Sequence, residues 1–163
     1  MEPSAPAPVE VREIVAADVP EAVALVGAVL AEFGLRFGDG SATDAELERL
    51  PASYAARGGR FWVVRDARGA LVGTAGVMPL SGDEVELRKM YLSPAARGLG
   101  LGRLLLERSV AFARSLGARR MVLDTIAEMT AAIALYERAG FVRDDAQKRA
   151  SRCTRGYRLD LST

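Results

Sequence analysis

The spacing of apolar residues changes period several times along the chain, and each change predicts an element. Residues 9–15 alternate as a short strand. Asp18 then offers an N-cap, and Pro20 falls in the first turn of a helix predicted over 19–33, which Gly34 stops. Thr43 and Glu46 have capping-box spacing for a second helix that Pro51 interrupts. Strand-like runs over 61–64 and 70–79 flank the turn Asp66-Ala67-Arg68-Gly69, and a third run covers 84–92, so the three read as an antiparallel meander. Gly73 and Gly76 inside the second run predict a bulge or the close approach of another backbone.

Alternation in the third run puts Glu84, Glu86, Arg88, Met90 and Leu92 on one face and Val85, Leu87, Lys89 and Tyr91 on the other; a bulge would shift this pattern by one residue. Leu101, Leu104, Leu105, Phe112 and Leu116 then recur at helical spacing as a core stripe. After Gly117 a buried-type strand is predicted over 121–125, and a helix with Met129, Ala132, Ile133 and Tyr136 on one face ends at Gly140. Strands follow over 141–143 and 154–161. The polar stretch between them reads as a loop, with Lys148, Arg149 and Arg152 as a solvated basic edge. Residues 1–8 alternate small residues with proline and read as a disordered or extended tail, leaving 9–163 as one domain.

Composition narrows the chemistry. A chain of 163 residues, 50% hydrophobic and 26% charged, suits one soluble domain with a sizeable core. A formal charge of +1 argues for no nucleic acid and no membrane surface as partner. The apolar run over 22–31 is too short to cross a bilayer, and Met1-Glu2-Pro3-Ser4 lacks the basic start of a secretory signal, so cytoplasmic residence is expected. Cys153 is the sole cysteine and histidine is absent. An internal disulfide, the Ser-His-Asp and Cys-His nucleophile systems and the usual ligands of catalytic zinc are therefore missing, and no metal is expected.

Between the third run of the meander and the helix after it lies Arg97-Gly98-Leu99-Gly100-Leu101-Gly102-Arg103. Amides at a helix start lack intrahelical partners and carry partial positive charge, so a phosphate can accept several hydrogen bonds there. Glycine lets a ligand approach the backbone, and Arg97 adds a planar fork of donors. A dinucleotide fingerprint fails in register, because Gly98 and Gly100 lead to Arg103 while Gly100 and Gly102 lead to Leu105. A P-loop fails too, since Leu104 follows Gly102-Arg103.

What remains resembles the acyl-CoA signature Gln/Arg-x-x-Gly-x-Gly/Ala of the GNAT superfamily of N-acetyltransferases, with Arg97, Gly100 and Gly102 at its defining positions. Ala132-Ile133-Ala134-Leu135-Tyr136, followed by Gly140-Phe141, resembles the second signature of that family, Ala-x-x-Leu-Tyr-x-x-x-Gly-Phe. The resemblance implies an α/β (α+β) fold: a mixed, mostly antiparallel sheet of about six or seven strands with one splayed pair, flanked by about four helices. It implies that amides over Arg97, Gly98, Leu99, Gly100, Leu101, Gly102 and Arg103 hold the pyrophosphate of acetyl-CoA. It further implies that the backbone of Met90 and Leu92 receives the pantetheine arm, with an N–H near Met90 aimed at the thioester carbonyl, and that the Tyr136 phenol lies near the coenzyme sulfur. The region between the first two strands would wall the acceptor pocket, with Phe33, Phe37 and Tyr54 as candidates. The chain departs from the pattern at Met129, where many members carry an asparagine that bonds the pantetheine arm.

Acyl transfer from a thioester to an amine requires that the donor be held, its carbonyl polarised, the amine deprotonated and the thiolate protonated or otherwise stabilised. Without histidine the base is a carboxylate, a water chain or bulk solvent. Glu86 is the first candidate, on the strand beside the expected thioester, and Glu84 the second; Tyr136 is the candidate acid. The expected partners are acetyl-CoA and a primary amine of a small molecule or peptide, with a homodimer left open. The alternative is a non-catalytic acyl-CoA-binding or interaction domain of the same fold.

Overall fold

The computed structural model describes residues 9–162, so the tail predicted over 1–8 lies outside the described residues. Among the described residues seven strands form one sheet: β1 (Glu10–Glu13), β2 (Arg60–Arg65), β3 (Leu71–Pro79), β4 (Glu84–Leu92), β5 (Arg120–Thr125), β6 (Val142–Arg143) and β7 (Arg155–Asp160). Their order across the sheet is β1-β2-β3-β4-β5-β7-β6. Among the described residues β4–β5 is the one parallel pair; the others are antiparallel. Four α-helices among the described residues flank it: α1 (Val19–Glu32), α2 (Ala52–Ala55), α3 (Leu101–Ser115) and α4 (Thr130–Arg138). This is the mixed, mostly antiparallel sheet with flanking helices that the family resemblance implies.

Two apolar clusters lie on opposite faces. One joins α3 and α4 to Trp62, Val77, Val85, Leu87 and Leu123; the other joins α1 and the segment 42–55 to Phe61, Val63, Leu71 and Met78. Alternation along β2 explains the division, since consecutive residues Phe61 and Trp62 enter different clusters. Each aromatic then meets a second ring edge-on, Phe61 against Tyr54 and Trp62 against Phe112. A Cβ on Gly76 would stand 2.7 Å from ring atoms of both Phe61 and Tyr54, so this glycine makes room for side chains rather than for another backbone. Among the described residues no helix is long and apolar enough to cross a membrane.

Three local expectations need correction. Asp18 sits at the start of α1 but does not cap it; the carboxylate accepts from the Val15 amide at 2.9 Å and from Arg12 and Arg65 at 2.7 Å. The second helix is a 3-10 helix, Ala42–Arg49: Thr43 shares its hydrogen bond with the Ser41 hydroxyl at 2.9 Å, and Glu46 turns instead to Arg57 and Arg88. On α3 the buried face is Leu101, Leu105, Leu106, Ser109, Phe112 and Ala113, while Leu104 and Leu116 are exposed. Ser109 enters the core because its hydroxyl donates to the Leu105 carbonyl at 2.7 Å.

The two-face reading of β4 also fails, through a bulge. Arg88 pairs with Gly76 and Tyr91 with Thr74, so Ala75 opposes both Lys89 and Met90, and Lys89 takes φ +55°. Val85, Leu87, Met90 and Leu92 therefore share one apolar cluster, and Tyr91 packs into the other.

Candidate active site

β4 and β5 pair only from Glu84 to Glu86, against Arg120 to Val122. Beyond Glu86 they continue to Leu92 and Thr125 without shared register, and the bulge at Lys89 stands at the mouth of this split. Past the strand end, the loop 97–102 turns into α3 through Gly98 (φ +78°) and Gly100 (φ +81°), left-handed positions that glycine takes without strain. A Cβ at either would find nothing within 4 Å among the described residues, which leaves the loop's outer side open to a ligand. Gly102 sits closer in, where a Cβ would stand 3.1 Å from Leu135. From the loop a groove of about 1180 Å3 runs between α3 and α4 to Met90, Tyr91 and Met129. Arg97, Arg103, Arg114 and Arg138 stand along it with Glu107 and Glu128. Open amides at a helix start beside this basic lining suit a phosphate-bearing ligand.

On the far side of Met90, Tyr91 and Met129 is a second, smaller cavity of about 180 Å3. Glu86 and Tyr136 both line it. Glu86 is buried; Oε1 accepts from Arg88 Nε, while Oε2 has no hydrogen-bond partner among the described residues and lies 3.5 Å from a guanidinium nitrogen of Arg149. Burial pushes the Tyr136 phenol well above its ordinary pKa, so it stays protonated at neutral pH and able to donate. Burial also pushes Tyr91 up to about 12, and Cys153 up to about 12 with help from the nearby Asp124 carboxylate. Both line the cavity as neutral groups at pH 7.

Around this cavity a charge network joins distant segments. Fully buried Asp44 receives both terminal nitrogens of Arg152, at 2.7 and 3.0 Å, the Lys89 ammonium, and the Gly38 amide at 2.7 Å. Burial pushes the Asp44 carboxyl up, yet Arg152 and Lys89 together hold it below the usual carboxylate range. Burial pulls Lys89 down, with Asp44 opposing. Arg88 binds Glu86 and, at 2.9 Å, Glu46.

Comparison with known proteins decides what this arrangement is. The model of the Acetyltransferase (GNAT) family matches residues 28–141. The chain belongs to the GNAT family. It is 38% identical over 138 residues to an uncharacterized N-acetyltransferase, YjgM, of Escherichia coli strain K12, covering 82% of each chain. In structure it is similar to a GNAT-family acetyltransferase of Staphylococcus aureus Mu50, with a TM-score of 0.88 at 21% identity over 95% of this chain and 100% of that one. A GNAT phosphinothricin acetyltransferase of Sinorhizobium meliloti, solved in complex with AcCoA, aligns with a TM-score of 0.74 at 25% identity over 94% of this chain and 88% of that one. This GNAT chain is thus an acyltransferase, an N-acetyltransferase by family.

Within the GNAT frame the candidate residues separate by place. Met90, Leu92, Arg97, Gly98, Gly100, Gly102 and Arg103 line the large groove, whereas Leu99 points outward and Leu101 is buried in the core beneath the loop. Arg97 is tied to the Leu92 carbonyl at 3.2 and 3.0 Å and to Glu32 at 2.9 Å. Met90, Glu86 and Tyr136 meet at the small cavity. Glu84 lies at the closed end of the split, 3.2 Å from Arg120, and lines neither space. Phe33 lines the large groove; Phe37 packs against the α1-side core, and Tyr54, 1% exposed, is inside it.

Sequence reasoning missed the cations. Arg149 and Arg152, read as a solvated edge, line the small cavity, and the Arg152 side chain is only 9% exposed. Asp124 holds this loop in place by accepting from the Arg149 and Ala150 amides at 2.7 and 2.8 Å. The partner that draws Arg152 inward, Asp44, is 108 residues away in sequence, so no local pattern announces it.

Proposed function

We propose that this GNAT acyltransferase moves an acetyl or similar short acyl group from acetyl-CoA to a primary amine by direct attack in a ternary complex. One observation carries the reading: a groove starting at the glycine loop and a cavity holding Glu86 and Tyr136 share Met90, Tyr91 and Met129 as common walls. A donor laid along the groove with its phosphates at 97–102 would bring its thioester to this junction, and an amine in the cavity would meet it there. The acetyl-CoA complex of the similar phosphinothricin acetyltransferase supports that donor.

The roles follow from the groups present. Glu86 Oε2, without a hydrogen-bond partner among the described residues, accepts a proton from the incoming ammonium. The amine nitrogen then bonds to the thioester carbon while an N–H near Met90 holds the developing oxyanion. As the carbon–sulfur bond breaks, Tyr136 gives its proton to the sulfur; the proton that the nitrogen sheds as it becomes an amide passes to the Tyr136 phenolate, Glu86 returns its proton to solvent, and the amide and free thiol leave. Met129 stands where other members place an asparagine, so the arm of the donor meets a thioether there. Cytoplasmic residence and a single domain over 9–163 belong to the same proposal.

Release of free thiol from acetyl-CoA, measured with and without a panel of amines, tests it. Amine-dependent release is expected. Calorimetric binding of acetyl-CoA with no amine-dependent release would overturn it in favour of a non-catalytic acyl-CoA-binding domain.

A further inference from the structure

The charges lining the small cavity do not balance. Arg88, Lys89, Arg149 and Arg152 line it with Glu86 and Asp124, four cations to two carboxylates, while Asp44 and Glu46 pair with them from behind the lining. The side chains of Arg88, Lys89 and Arg152 are each at least nine-tenths buried and are paired with Glu46, Glu86 and Asp44, which leaves Arg149 as the cation of the lining that reaches solvent. Asp124 Oδ2 is taken by two backbone amides. Two features of the lining therefore suit a ligand: its preponderance of cations, and the buried Glu86 Oε2, which among the described residues has no hydrogen-bond partner and only the 3.5 Å ion pair to Arg149.

We infer that the acceptor is a small amino acid-like molecule, its amine directed to Glu86 and its carboxylate to Arg149 with Arg152 behind it. This inference rests on the acyl-transfer reading above and deepens it. Glu86 Oε2 and the Arg149 guanidinium, 3.5 Å apart, present a negative and a positive group side by side, the complement of an ammonium and a carboxylate on one short skeleton. A cavity of about 180 Å3 matches a molecule of that size. Polyamines, aminoglycosides and lysine-rich peptides bring further positive charge to a lining that already carries an excess, and are disfavoured. Arg149 is placed to act: its side chain is 41% exposed and engages through one nitrogen, Nη1, with the Gln147 carbonyl at 3.1 Å and Glu86 at 3.5 Å, while its backbone is pinned by Asp124.

The test is a steady-state assay of thiol release with the proteinogenic L-amino acids, β-alanine and 4-aminobutyrate, the carboxamide of each, the matching decarboxylated amines, spermidine and a lysine peptide. The best acceptor is expected in the carboxylate set, with its carboxamide at least about 10-fold lower in kcat/KM, mostly through KM. In Arg149→Gln that preference narrows to within about 3-fold; Arg152→Lys, which keeps a charge beside Asp44, provides a second variant in which it also shrinks. A best acceptor among spermidine, the lysine peptide or the decarboxylated amines, or equal rates for acid and carboxamide, overturns this inference and leaves acetyl transfer standing. Acetyl-CoA binding without release by any amine overturns both.

Discussion

The two spaces on either side of Met90, Tyr91 and Met129 are built by different means. The groove is framed by one continuous stretch, the end of β4, the loop 97–102 and the start of α3, with α4 opposite, and the donors suited to its ligand are main-chain amides of the loop. The cavity draws side chains from β4, β5, α4, the segment 41–43 and the loop 149–153. Backbone donors need little more than the right dihedral angles, whereas a side-chain cavity needs distant segments to arrive together. One lesson is that changes in the groove should act on binding of the donor, and changes in the cavity on the amine and on stability.

The sharpest way to break that contrast is Gly100→Val. A β-branched residue at φ +81° is strained and its methyls enter the open side of the loop, while no neighbour lies within 4 Å of the new Cβ. Acetyl-CoA binding should vanish from calorimetry while thermal unfolding stays cooperative. Retained affinity would remove the loop from phosphate binding.

Next in size is Asp44→Asn on the cavity side. It leaves Lys89 and Arg152 buried against a neutral group, and loss of one partner in such a cluster costs about 3–5 kcal/mol. Denaturant titration should show that loss; a change below about 1 kcal/mol would mean the cations have found water instead. Tyr136→Phe follows, with kcat expected to fall about 10- to 1000-fold and acetyl-CoA affinity held, if proton delivery to sulfur limits the rate. Unchanged kcat would assign this phenol to its packing against Phe141 and Tyr157.

The smallest effect concerns acid. Arg12 first, then the Val15 amide and Arg65, hold the Asp18 carboxyl well below its ordinary pKa. A depressed folded pKa contributes stability that is fully present above the unfolded value, about 4, and is lost as pH falls through the folded one. Tm should therefore fall on acidification below about pH 4, and Asp18→Asn should flatten that limb. Its cost at neutral pH should be less than that of Asp44→Asn, because Arg12 and Arg65 reach solvent. An unchanged acid limb would count against the pairing.

Much of the fold was legible because its cues are local. The meander over β2, β3 and β4, the glycine loop and the α4 face carrying Ile133 and Tyr136 follow from period and punctuation. The α3 stripe was only half right, since Leu104 and Leu106 are both apolar and the facing sheet chooses between them. Glu86 and Tyr136 could be singled out through strand position and motif, but their meeting in one cavity could not.

Sequence by itself determined the order of elements and the glycine-rich turn into α3, because glycine dihedrals and apolar spacing act over a few residues. Tertiary structure alone decided where β4 bulges, which face Met90 takes, and that Arg152 turns inward to Asp44. Those outcomes depend on burial and charge pairing between segments far apart in the chain, where the energy of a contact exists only after both sides have been brought together.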